Sequence, residues 1–308
     1  MQMPALNETS VIGPVLALLR ADSPGTLALI TGTEGPSYRP VGAMMAVLEG
    51  RQRAGSLSSG CVEADIALHA EAALAEGTPA HVRYGRGSKF KDIQLPCGGG
   101  LDVLMVPAPD RDVLGALAEA YEARRPVTLC IDTAGGGLSL SEDGQTGWQG
   151  ETFCIRIEPE IFFYVFGKGP ETSTFAALVQ SAGYPNLILS SDDETLAAAE
   201  AAGCPTRHLT GASVPEDVAP DDRSAIVLFF HDHDWEPPIL KAALNTPAFY
   251  IGAQGSQRAR HLRDYDLQAL GVGEDALARL KGPIGLVRSA RDARTLAVSV
   301  LAEVLAEA

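Results

Sequence analysis

Apolar and polar positions follow two regimes along this chain. In the first half, strand-like and helical segments are interleaved without a fixed order. Val11 to Arg20 carries apolar residues at helical spacing, Thr26 to Ile30 and Ala43 to Leu48 read as strands, and the second of these turns at Glu49-Gly50 into a return strand toward Leu57. A helix is predicted from Cys61 to Glu76, entered through Ser58-Ser59-Gly60, with Glu63 and Asp65 in its first turn and Gly77 as its stop. Strands around His81 to Tyr84 and Leu101 to Val106, a helix over Val113 to Arg124 and a strand over Val127 to Asp132 follow. Thr133 to Gly150 is rich in Gly, Ser and Gln and reads as exposed loop or hairpin near a domain boundary.

From Ile161 the pattern becomes regular. Apolar runs at Phe162 to Phe166, Asn186 to Ser190, Ala225 to Phe230 and Phe249 to Ile251 alternate with helical segments at Thr174 to Ala182, Glu194 to Ala202 and Pro238 to Leu244. Strands buried on both faces and separated by helices imply parallel βαβ units. Thr295 to Leu305 closes the chain with a helical stripe of Leu296, Val300, Leu301 and Val304. The expected fold is α/β: an N-terminal mixed α+β domain over 1–155, then a Rossmann-like doubly wound parallel sheet over 156–308, which suits a length of 308 residues.

Charge narrows the functional classes. The formal net charge of −15 repels phosphate backbones and anionic membrane surfaces, so neither nucleic acid nor membrane is an expected partner. The longest apolar runs are strand-length. The opening MQMPALNETS lacks the basic start and apolar stretch of a signal peptide, and five cysteines without a CxxC pair argue against a disulfide scaffold. A cytoplasmic protein with reduced thiols is the expectation.

Five stretches can carry chemistry. Phe166-Gly167-Lys168-Gly169-Pro170-Glu171-Thr172 joins an apolar strand to a helix as in dinucleotide-binding folds, with Gly167 and Gly169 baring the backbone, but Thr172 stands where the third glycine is expected. Cys61 opens a helix whose positive end favours thiolate, which suits a soft metal ligand, a nucleophile or a persulfide carrier, or else a small buried hydrophobe. Cys97 precedes Gly98-Gly99-Gly100, either an anion-binding nest or a flexible turn. Between them, Arg83, Arg86, Lys89 and Lys91 form an acid-free run suited to a phosphate-bearing ligand or to plain solvent. His231-Asp232-His233 ends a buried parallel strand, where ligands bind in open α/β sheets, and the two histidines either chelate a metal or cap the strand and contact a ligand.

Several ordered stretches together resemble the XdhC/CoxI family, the accessory proteins that mature xanthine dehydrogenase and related molybdenum hydroxylases. They are Tyr38-Arg39-Pro40-Val41-Gly42-Ala43-Met44-Met45, Gly55 through Glu63 with its Gly60-Cys61-Val62-Glu63 core, Cys97-Gly98-Gly99, the His231-Asp232-His233 strand end, Tyr250-Ile251-Gly252-Ala253-Gln254-Gly255-Ser256, and Gly282-Pro283-Ile284-Gly285-Leu286 leading to Ala297 through Glu303. The resemblance implies a protein that binds molybdenum cofactor, protects it and delivers it to an apo-molybdenum hydroxylase, acting by handover rather than turnover. It further implies a cysteine desulfurase as partner, a homodimer, Cys61 as a possible molybdenum ligand, and a cofactor site drawing on Arg39, Cys61, Glu63, Cys97, Gly98, Gly99, Gly167, Gly169, His231, Asp232, Gly252, Gly255 and Ser256, with a possible nucleotide in the second domain. The alternative reading is an NAD(P)-dependent oxidoreductase using Gly167 and Gly169.

Overall fold

The computed structural model describes residues 10–58, 60, 62–88, 95, 98–230 and 234–308. The chain divides into two compact units, Met1–Pro159 and Glu160–Ala308.

Unit 1 runs α1 (Gly13–Arg20), β1 (Thr26–Glu34), β2 (Met44–Val47), β3 (Arg53–Gly55), α2 (Glu63–Glu76), β4 (Ala80–Gly85), β5 (Gly100–Pro107), α3 (Arg111–Glu122), β6 (Val127–Asp132), β7 (Leu138–Ser141), β8 (Gly147–Gln149) and β9 (Thr152–Ile157). An antiparallel sheet of order β3-β2-β1-β5-β4 is buried on both faces. Ala28, Ile30, Met45, Val103 and Met105 pack on α2 through Ile66, Ala67, Ala70 and Ala73. The alternate residues, Leu27, Leu29, Ala46, Leu104 and Val106, pack on α1, α3 and a second sheet. Strand periodicity of two sends neighbouring side chains to opposite faces, so β1 serves both clusters.

That second sheet, β7-β6-β9-β8, is built largely from the stretch expected to be loop or hairpin and from β9. It also corrects the expectation of reduced thiols throughout. Cys130 on β6 faces Cys154 on β9 in direct register, with Cα atoms 4.2 Å apart, and the two sulfurs are joined as a disulfide. Cys204 is free and buried, and burial raises its thiol to about 11.

Unit 2 runs β10 (Phe162–Gly167), α4 (Pro170–Ser181), β11 (Asn186–Ser190), α5 (Asp193–Ala201), β12 (Thr206–His208), β13 (Ser224–Phe229), α6 (Glu236–Leu244), β14 (Tyr250–Ala253), α7 (Gln257–Ala269), α8 (Glu274–Ala278), β15 (Leu280–Lys281) and α9 (Ala293–Ala306). All six strands are parallel in the order β12-β11-β10-β13-β14-β15, which is the doubly wound order with its switch point between β10 and β13. Phe163, Val165, Ala225 and Val227 face α4 and α9, while Phe162, Tyr164, Ile226 and Leu228 face α6. Both expected architectures are present. Among the described residues, no helix is long and apolar enough to cross a membrane.

Candidate functional site

The most elaborate polar arrangement in unit 1 surrounds the carboxylate of Glu63, which is 4% exposed. Oε1 accepts from Ser56 Oγ at 2.7 Å, the Leu57 amide at 3.2 Å and the Ser58 amide at 2.7 Å. Oε2 accepts from Ser58 Oγ at 2.6 Å and the Val62 amide at 3.2 Å. Val62, which precedes α2, has no side-chain cap of its own, so the first-turn carboxylate folds back onto the loop that leads into its helix. Burial alone raises a carboxyl pKa. Here the hydrogen bonds from both serine hydroxyls and from the Ser58 and Gly60 amides outweigh it and bring Glu63 down to about 2. The loop enters through Gly55 at φ 87°, where a Cβ would lie 2.6 Å from the Met44 carbonyl.

Residue 61 lies outside the described residues, as does Cys97. Their sequence neighbours, however, share one end of the five-stranded sheet. Leu57 and Val62 on one side and Leu95 on the other are buried in the same apolar cluster beneath α2. Tyr84, at the end of β4, donates its hydroxyl to Asp65 in the first turn of α2 at 2.8 Å. Gly85 and Glu34 are both in register with Gly100, where the glycine turn begins β5. Burial, with Asp65 second, pushes the Tyr84 hydroxyl well above the usual phenol range, so it stays a donor.

The glycines of that turn answer to backbone packing. A Cβ on Gly99 would lie 2.2 Å from the Pro36 carbonyl, and one on Gly85 would lie 2.2 Å from the Gly99 carbonyl. The Gly99 carbonyl accepts from the Arg86 amide at 3.0 Å, and the Gly98 amide donates to Leu95 at 2.8 Å. The turn is thus wedged between two neighbouring chain segments rather than flexible. Arg39 is exposed in the adjoining loop, where its backbone is held by Ser37.

Spatial neighbours change the basic run. Arg83 donates to both oxygens of Asp102 at 3.0 and 2.8 Å, to Glu34, and to the Arg86 carbonyl at 2.8 Å, while Arg86 lies 3.6 Å from Glu34. Asp102, as its principal hydrogen-bond partner, pushes the Arg83 guanidinium still higher. The acids missing from the run in sequence come from β1 and β5, so Arg83 is committed to them. Lys89 and Lys91 lie outside the described residues.

In unit 2 the glycine turn after β10 is filled from within. The Gly169 amide donates to Thr195 Oγ1 at 2.8 Å, and that hydroxyl donates to Asp192 at 2.5 Å. A Cβ on Gly167 would lie 2.5 Å from Thr172 Oγ1, so the residue in the third-glycine position packs directly against the first. The Thr195 hydroxyl and amide hold Asp192 below the usual carboxylate range, leaving a negative charge beside the turn. His231 and Asp232 lie outside the described residues. Gly252 makes room for the Tyr250 ring and Ile284, each within 2.7 Å of where its Cβ would be, while Ser256 caps α7 by accepting from the Ala259 amide at 3.2 Å. Among the described residues, no group of three or more His, Cys, Asp or Glu is placed to hold a metal ion.

Comparison with known proteins places the chain in a family. The XdhC and CoxI family model matches residues 18–85, and the XdhC Rossmann domain model matches residues 163–304. The chain is 34% identical over 279 residues to the molybdenum cofactor insertion chaperone PaoD of Escherichia coli strain K12, covering 90% of this chain and 81% of that protein. The chain belongs to the XdhC and CoxI family. A protein of Bacillus subtilis strain 168 named as a probable xanthine dehydrogenase component is 24% identical, with 94% of each chain covered. A crystal structure of a xanthine dehydrogenase from Bacillus halodurans shares the fold, with a TM-score of 0.79 at 21% identity over 96% of this chain and 95% of that one.

Within this XdhC and CoxI chain, several working residues carry no sequence signal of their own. Tyr84 and Asp65 look like ordinary strand and helix positions, and their partnership appears only once β4 and α2 are stacked. Arg263, 2% exposed, sits in a helix without an apolar stripe. Ser299 and Glu303 lie in the closing helix among alanines and valines.

Proposed function

We propose that this protein is a molybdenum-cofactor chaperone, which takes up the cofactor as cargo and passes it to an apo-molybdenum hydroxylase. The observation that carries the reading is the arrangement in unit 1: the neighbours of Cys61 and of Cys97 are anchored in one apolar cluster at one end of one sheet. Thiols at positions 61 and 97 would be soft ligands for molybdenum, and a thiolate directly before the start of α2 would gain from the positive end of that helix. The relation to PaoD, which bears the name of a molybdenum cofactor insertion chaperone, supports the same reading. Glu63 acts in it as a positioning residue. Its carboxylate organises the loop on both sides of position 61 rather than facing the cargo. Arg39 is the exposed cation of the neighbouring loop and is assigned to the phosphate of the pterin. A cytoplasmic setting, a homodimer and a cysteine desulfurase as sulfur source complete the proposal. Against the oxidoreductase alternative, the Gly169 amide already donates to Thr195 Oγ1.

The test uses the full chain, mixed under anaerobic conditions with cofactor released from a molybdoenzyme and then desalted. Molybdenum by mass spectrometry and pterin by fluorescence should co-elute with wild type and with Cys204→Ala, and should be lost with Cys61→Ala. Wild-type protein that retains neither would refute the proposal.

A further inference from the structure

The second sheet of unit 1 carries a covalent group that the thiol site does not use. Leu129 and Ile131 on β6 and Phe153 and Ile155 on β9 point into the core, so Cys130 and Cys154, which lie between them, project from the opposite face. Their register continues across all four strands, from β7 to β8, as Ser139, Cys130, Cys154 and Gly147. The bridge therefore sits on the outer face of the sheet, between a hydroxymethyl group and a bare glycine.

The two sulfurs are not equivalent. Cys154 is 0% exposed. Cys130 is partly exposed although the backbone of its strand is paired on both sides, so the opening is at its side chain, and Ser139 opposite it is exposed as well. Beyond Cys154 the face is closed by the loop between β7 and β8. Arg156 donates its amide to Thr146 Oγ1 at 3.0 Å and a guanidinium N–H to the Glu142 carbonyl, and a Cβ on Gly144 would lie 2.9 Å from Thr128 Cγ2. Charge acts in the same sense, more weakly. Arg156 is the next residue on this face of β9 after Cys154, and the exposed Asp132 is the next on β6 after Cys130. A cation favours a thiolate on Cys154, and an anion disfavours one on Cys130. Access thus selects Cys130 as the sulfur attacked, and charge selects Cys154 as the sulfur that leaves.

The neighbours of the bridge also support the turn before β2. A Cβ on Gly42, at φ 91°, would lie 3.2 Å from a methyl of Ile155 and 3.2 Å from that of Thr146, and the Gly42 amide donates to the Ile30 carbonyl at 2.8 Å. Ile155 follows Cys154, and Thr146 precedes its partner Gly147, so the turn rests on residues adjoining the bridge.

We propose that the Cys130–Cys154 bridge is a thiol–disulfide exchange site for a dithiol reductant, and that its state sets how firmly the second sheet holds the Gly42 turn. A thiolate of the reductant attacks Cys130 Sγ; the bridge breaks, and its bonding pair leaves on Cys154 Sγ, which takes up a proton. The second thiol of the reductant then attacks the reductant sulfur of the mixed disulfide and releases Cys130, which is protonated in turn. The reductant gives up two electrons and two protons and ends as a disulfide, while the protein gains two thiols. The inference concerns the second sheet of unit 1 and stands whether or not the protein carries molybdenum cofactor.

The oxidised full chain, kept native, should lose the bridge to millimolar dithiothreitol at a rate unaffected by urea below the unfolding transition, because the attacked sulfur is reached without opening the fold. With glutathione in place of the dithiol, acid quenching, alkylation and cleavage after Glu142 and Glu151 separate the two cysteines for mass spectrometry. The mixed disulfide should then be found on Cys130 about tenfold more often than on Cys154. Reduction should also quicken amide exchange at Gly42 severalfold and leave the amides of β13 unchanged. A bridge reduced only as the protein unfolds, or a mixed disulfide shared equally between the two sulfurs, would overturn the exchange site, and exchange at Gly42 that ignores the bridge would overturn its hold on the turn.

Discussion

Replacing Glu63 with glutamine tests whether one carboxylate holds the loop around position 61. The side chain keeps its size and burial, but an amide NH2 then confronts donors that an oxygen accepted before. The carboxyl falls from its ordinary 4.5 to about 2 in the folded protein, a shift worth roughly 3 kcal/mol at about 1.4 kcal/mol per unit. Because the folded pKa lies below the unfolded one, this stabilisation is complete above pH 4.5 and disappears as pH falls toward 2. Glu63→Gln should therefore unfold at lower urea than wild type at pH 7, by roughly 2 to 3 kcal/mol in unit 1, and the gap should narrow steadily below pH 4.5. With two units in the chain, a single global transition is a poor readout, so the second measurement is local. Amide exchange at Leu57, Ser58 and Val62 should accelerate in the variant while amides in β13 keep their protection. A gap under about 1 kcal/mol, or one that is the same at pH 7 and pH 3, would show that the hydrogen bonds to this carboxylate do not organise the loop.

Other consequences are as direct. Alkylation of the oxidised, denatured protein should label Cys204 but spare Cys130 and Cys154, and reduction first should label all three; because the bridge closes a 24-residue separation, Cys130→Ser should cost about 3 kcal/mol on the chain-entropy account. Gly99→Ala places a methyl 2.2 Å from the Pro36 carbonyl and should destabilise unit 1 by about 1 to 3 kcal/mol in urea melts, without altering exchange in unit 2. Glu236→Gln leaves the Arg263 charge buried beside a neutral amide and should cost unit 2 about 3 to 5 kcal/mol, measured by calorimetry.

The parts of the fold legible in sequence are those where local pattern and burial agree. Phe162 to Phe166 and Ala225 to Phe230 are apolar without alternation because both faces of the parallel sheet are covered, and such runs admit few other readings. Helix α7 is the opposite case. Its only buried positions are Arg263 and Leu267, so thirteen residues of regular helix carry no apolar stripe, and one of its two inward residues is the residue type least expected there. Strand β9 does alternate, with Phe153, Ile155 and Ile157 inward, but it follows a glycine- and serine-rich stretch whose strands form only by pairing with it and with β6. The Cys130–Cys154 bridge is hidden for the same reason, since a cross-strand pair has no spacing rule until the register is known.

The functional segments were legible as positions but not as roles, and glycine explains much of the difference. A glycine-rich turn reads in sequence as a place where backbone meets ligand. Gly99, Gly252 and Gly285 meet instead the Pro36 carbonyl, the Tyr250 ring and the Ser299 hydroxyl of their own chain. Gly167 likewise makes room for Thr172, and the Gly169 amide already donates to Thr195. Such glycines are needed because the protein is close-packed around its sites, and they would be needed with no ligand at all. What a ligand touches is then decided by what the packed backbone leaves uncovered, and not by the glycines that let the backbone pack. Motif resemblance in this family thus reports the scaffold first. The chemistry follows from the few groups that the scaffold declines to satisfy.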